Sequence, residues 1–106
     1  MAAAAEKTAD IAQLKEQARR LRVKIVKMLA ESGSGHTGGS LSAADMVTAL
    51  YFYKMRHRAD EPKWPDRDRF ILSKGHAAPV LYAALALAGY IDRSLLGSLR
   101  KVGCPL

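Results

Sequence analysis

From Asp10 onward, apolar side chains return at every third or fourth position: Ile11, Leu14, Ala18, Leu21, Ile25 and Met28, with Val26 and Leu29 widening the stripe. That is the period of an α-helix with one buried face. Asp10 is placed to cap its start and Gly33 to end it. The Ala-rich residues 1–12 are expected to form a frayed terminus. The helical period then lapses over residues 33–41, which hold four of the eight glycines and read as a loop with unusual backbone demands. Ser42 followed by Asp45 resembles a capping box, with Asp in place of the usual Glu. It predicts a second helix carrying Met46, Val47, Leu50 and Tyr53 on one face.

Lys54 to Arg69 is charged and contains Pro62 and Pro65, so it is expected to be an exposed connection. His57, between Arg56 and Arg58, is expected in solvent, and Trp64 is expected to anchor the connection on the core. Phe70-Ile71-Leu72 is a short apolar run consistent with a buried strand. Ser73-Lys74-Gly75 is the turn after it. Ala77 to Ala88 predicts a helix that Gly89 ends. Asp92 is placed to cap a last helix, Arg93 to Lys101, with Leu95, Leu96 and Leu99 facing inward. A single strand needs neighbours for its backbone hydrogen bonds. The expected fold class is therefore α/β: a mostly helical opening portion of a doubly wound domain, incomplete on its own. The finish at Cys104-Pro105-Leu106, without a polar tail, points the same way.

Composition narrows the picture. A chain of 106 residues with 49% hydrophobic content is one domain at most. The most apolar run, Val80 to Ala88, is too short to span a membrane. The N-terminus lacks the basic and apolar regions of a secretory signal. One cysteine excludes an internal disulfide framework and fits the cytoplasm. The net charge of +7 is spread over helix faces and loops and accompanies no nucleic-acid motif. It favours phosphorylated small molecules instead.

The candidate chemistry lies in two segments, Gly33-Ser34-Gly35-His36-Thr37-Gly38-Gly39-Ser40 and Ser73-Lys74-Gly75-His76-Ala77-Ala78. Each sets a histidine directly after a glycine in a bend that leads into a helix. In the second, the bend follows the carboxyl end of the expected strand, the usual ligand edge of α/β sheets. Amides at the helix start, the imidazole of His76 and the charge of Lys74 suit a phosphate or diphosphate there. A histidine that only caps or packs against the helix is the plain alternative. The first segment is neither a Walker A loop nor a dinucleotide fingerprint. Its glycines allow close contact with a ligand, and His36 is suited to bond a hydroxyl or move a proton. A flexible linker with an incidental histidine is the alternative there. Three histidines and no dense carboxylate cluster make a self-contained zinc site a poor reading. No Gly-x-Ser-x-Gly or Ser/His/Asp set is present.

Together these segments resemble a known family. Ser34-Gly35-His36-Thr37-Gly38-Gly39-Ser40-Leu41-Ser42-Ala43-Ala44-Asp45 is similar to the N-terminal motif of transketolases, with Thr37 where proline is usual. Asp66 through Tyr82, containing Ser73-Lys74-Gly75-His76-Ala77-Ala78, resembles the family's second histidine motif. The resemblance runs from Gln13 to the end, in order and with natural spacing, and is nearest the split-subunit bacterial and archaeal type. It implies that residues 13–106 are the N-terminal part of the thiamine-diphosphate-binding domain. It also implies a transketolase, which moves a two-carbon ketol unit from a ketose phosphate to an aldose phosphate.

By the same resemblance His36 is the catalytic and substrate-binding residue, meeting the donor sugar near its C1 hydroxyl or carbonyl. His76, Gly39 and Lys74 are the cofactor-binding residues. The implied cofactors are thiamine diphosphate and Mg2+ or Ca2+, with the metal ligands and the activating glutamate outside this chain. The implied partners are sugar phosphates and a C-terminal transketolase section or subunit, in a homodimer or heterotetramer, with neither nucleic acid nor membrane. The chain alone is expected to be inactive and to bind the cofactor weakly. Two alternatives accompany this reading: another thiamine-diphosphate ketol transferase, or a catalytically silent assembly module with the same fold.

Overall fold

The computed structural model describes residues 10–33 and 37–98. Among these, three α-helices form the body: α1 (Ile11–Ser32), α2 (Thr37–Ala49) and α3 (Ala78–Ala88). Helix α1 begins as the sequence predicts, with the Asp10 carboxylate accepting the backbone N–H of Gln13 at 3.1 Å. It ends at Gly33, whose φ of 68° is left-handed and places its N–H on the Leu29 carbonyl. The buried face of α1 is Ala18, Leu21, Ile25, Met28 and Leu29, the stripe read from the sequence. Helix α3 closes the same way, at Gly89 with φ 97°.

Helix α2 differs from the expectation. It starts at Thr37, so residues 37–41 are helical and not loop. Ser42 lies inside the helix, and its hydroxyl bonds back to the Gly39 carbonyl at 3.0 Å. Asp45 reaches across to Arg22 of α1 at 2.6 Å, so the two do not form a capping box. The buried face follows from the earlier start: Ser40, Ala44, Val47 and Thr48, continued by Tyr51, while Met46 is 70% exposed. The helix then loosens into a π-helical turn, Leu50–Lys54, before the long connection.

The expected strand is absent among the described residues. Residues 70–72 take no ladder, and Ile71 is 85% exposed. An extended backbone pairs only with a neighbouring strand, and the described residues supply none. The α/β character is thus not seen here, where the architecture is helical. Phe70 alone of that run packs on the core, edge-on to Tyr51 with ring centres 5.8 Å apart. A short 3-10 turn, Gly75–Ala77, leads into α3, which has Pro79 in its first turn.

All three helices meet around Leu21, Ile25, Met28, Val47 and Val80. Small residues let them approach closely: Ala44, Ala77, Ala83 and Ala84 are fully buried at the contacts. Each large aliphatic buried there contributes about 1.5–3 kcal/mol. A six-residue 3-10 segment, Arg93–Ser98, stands where a last α-helix is expected. Asp92 caps it by accepting the Ser94 N–H at 2.9 Å, and Leu96 is buried while Leu95 is half-buried. Leu99 to Lys101 and Cys104 lie outside the described residues.

The connection is better tied down than its charge suggests. His57 is half-buried, not solvated. Its Nε2–H donates to the Tyr51 carbonyl, and its Nδ1 lies 2.6 Å from the Tyr90 hydroxyl, whose ring stacks on it. Trp64 is half-buried and carries the Arg58 guanidinium 4.4 Å above its ring, a contact within the connection itself.

Candidate functional site

The two glycine-histidine segments meet. The first turn of α2 lies against the 3-10 turn that precedes α3, and two polar links hold them. The buried Ser40 hydroxyl donates to the Ala77 carbonyl at 3.2 Å. The Lys74 ammonium reaches the Ser42 hydroxyl at 3.4 Å, and that hydroxyl is itself seated on the Gly39 carbonyl. The turn is closed by the Ala77 N–H on the Lys74 carbonyl at 2.9 Å.

Gly39 sits against the side chains of His76 and Lys74. A Cβ on it would stand 3.0 Å from both Cδ2 and Nε2 of His76, and 3.3 Å from Cε of Lys74. A Cβ there would press on the imidazole and require it to shift by a few tenths of an ångström. The missing Cβ therefore brings together the backbone of one motif, the imidazole of the other and an ammonium group. His76 and Lys74 are both exposed, so all three face outward from the helical core. Among the described residues Lys74 forms no ion pair with a carboxylate, and no group of three His, Cys, Asp or Glu gathers as a metal site.

The donor set suits an oxyanion: one full positive charge, one imidazole, and a backbone left bare by glycine. The fit to a diphosphate rests on this cradle. Gly39, Lys74 and His76 are thus brought together, whereas His36 lies outside the described residues. Ser40 and Ser42 are the positions that sequence reasoning missed in this role. A capping-box pattern drew Ser42 to a helix start, and nothing in the local sequence marks a serine that docks on a carbonyl 37 residues away.

Comparison with known proteins decides the family. Residues 13–104 match the family described as transketolase, thiamine diphosphate binding domain. The chain belongs to the transketolase family. It is 50% identical over 93 residues to a transketolase-like protein 2 of Bos taurus and 44% identical to a transketolase of Homo sapiens. Each alignment covers 88% of this chain and 15% of the relative. A 6-deoxy-6-sulfo-D-fructose transketolase subunit of Clostridium sp. (strain MSTE9) is 46% identical, with 88% of this chain and 34% of that protein covered. The chain thus spans about 15% of the length of the first of these relatives. Among the described residues no helix is long and apolar enough to cross a membrane.

Proposed function

We propose that this chain supplies the diphosphate-contacting part of a thiamine-diphosphate-dependent transketolase. The observation that carries the reading is the meeting of Gly39, Lys74 and His76, two motifs of the family joined at one outward-facing oxyanion cradle. His76 and Lys74 would hold the diphosphate, and Gly39 would let its backbone pass beside it. Thiamine diphosphate, when bound, supplies the carbanion chemistry of ketol transfer. His36, in the residues just before α2, would orient the donor sugar and move a proton at its C1 hydroxyl.

The remainder of the site belongs to a C-terminal transketolase section or subunit. The ligands for Mg2+ or Ca2+ would likewise lie outside these residues, in a homodimer or heterotetramer acting on sugar phosphates in the cytoplasm. These 106 residues alone would bind the cofactor weakly and turn nothing over. The share of the relatives' length that they span supports this. A second reading, a ketol transferase for a non-standard sugar, is favoured by the similarity to the sulfofructose transketolase subunit.

The test is alanine replacement in the reconstituted assembly. His76→Ala is expected to weaken cofactor affinity about tenfold or more, which corresponds to about 1.4 kcal/mol. His36→Ala is expected to lower kcat with cofactor affinity retained. Full function in both variants would instead mark the chain as a silent assembly module. Comparing fructose 6-phosphate with its 6-sulfo counterpart as donor separates the two enzymatic readings.

A further inference from the structure

A second cationic site lies on the C-terminal half of α1, against the last 3-10 segment. Lys24, Lys27, Met28 and Glu31 fall at positions i, i+3, i+4 and i+7 of that helix and so share one face. Arg93, Ser94 and Leu96 of the last 3-10 segment stand across from them, and the two sets line an open cavity of about 310 Å3. Its floor is apolar, made of the buried Met28 and Leu96. Its walls bring three cations against one carboxylate, with the Ser94 hydroxyl beside them.

Five arginines elsewhere on the surface are matched to acids. Arg19 and Arg20 pair with Glu16, Arg22 with Asp45, Arg56 with Asp68, and Arg58 with Glu61. The cations of this cavity are not. Among the described residues Lys24, Lys27 and Arg93 make no ion pair, although Glu31 is one helical turn from Lys27. Lys24 is half-buried. Burial, and then the like charges of Arg93 and Lys27, hold its ammonium below the ordinary lysine range. Gathering like charges at a partly enclosed site is unfavourable until an anion neutralises them.

We propose that the cavity lined by Lys24, Lys27, Arg93 and Ser94 binds a small dianionic oxyanion of the phosphate-monoester class. The volume is at the low end for ligand pockets and suits a phosphoryl group with a few attached atoms. Two ammonium groups from α1 and the guanidinium across from them supply donors to a tetrahedral anion. Ser94 lines the edge of the cavity with its side chain bonded to Asp92, and Glu31 is left to accept a hydroxyl from the organic part.

Amine labelling of Lys24, read by peptide mass spectrometry on the intact chain, tests this without any assay of turnover. Inorganic phosphate and glycerol 3-phosphate are the probes, and chloride at matched ionic strength is the control. Millimolar phosphate or monoester is expected to slow labelling of Lys24 about threefold or more relative to chloride, as occupancy of a site would. Stronger protection by glycerol 3-phosphate identifies an organic monoester as the ligand, and equal protection identifies free phosphate. Arg93→Gln, at an exposed position, should abolish the protection, and Lys27→Gln serves as a second variant should the first disturb the fold. His76→Ala should leave protection intact, which keeps this site distinct from the diphosphate cradle. Equal protection by chloride, protection unaffected by both cavity variants, or protection lost with His76→Ala would each overturn the proposal.

Discussion

At Gly39 a single missing carbon governs how closely two distant segments approach: its absence admits the His76 ring to within contact of the α2 backbone. Thr48 is the opposite case, a side chain with an atom too many. It is 2% exposed on the core face of α2, and its hydroxyl has no hydrogen-bond partner among the described residues. A buried hydroxyl without a partner costs about 1–3 kcal/mol. Thr48→Val keeps the shape and removes that cost, so it is expected to raise unfolding stability by about 1 kcal/mol in urea titration. His57 shows why residue-scale reading of charge misleads. Flanked by two arginines, it looks solvated, yet its ring nitrogens face the Tyr51 carbonyl and the Tyr90 hydroxyl. The partner that buries it is 33 residues ahead, beyond any local pattern.

Elements were legible where local signals agreed. The face of α1, its Asp10 cap and the glycines that end α1 and α3 all follow from spacing and capping chemistry. The start of α2 was hidden because Gly38 and Gly39 lower helix propensity, while tertiary contact through Ser40 to Ala77 overrides it. The apolar run 70–72 misled for a related reason. It has the composition of a strand, but a strand is completed by its neighbours. Local chemistry also sets the acid response. Glu16 is held at about 2, from an ordinary 4.5, chiefly by its hydrogen bond from Arg19 and also by Arg20. Asp68 is lowered by the Arg56 backbone N–H and side chain, and Asp92 by the Ser94 N–H. Carboxylates lowered in the folded state stabilise it above their unfolded values, and that stabilisation is lost as pH falls through the folded ones. Helicity by circular dichroism should therefore decline progressively from pH 4.5 toward 2, and Glu16→Gln should flatten that slope. A pH-independent signal over this range would contradict the assignment.

For the whole molecule, the three-helix core serves to hold the first turn of α2 and the turn before α3 in fixed register, and the cradle lies on their seam. The sequence motifs named both sides of that seam but not how they touch; only packing reveals that Gly39, rather than either histidine alone, is the contact point. The central claim is that this seam binds the diphosphate of thiamine diphosphate. Titration of the cofactor with Mg2+ into the reconstituted assembly, comparing wild type with Gly39→Val, tests it, because the substitution removes neither the imidazole nor the ammonium and fills the gap where both meet the α2 backbone. The expected result is affinity weakened about tenfold or more, with assembly and helicity unchanged. Equal affinity in the two proteins would contradict it.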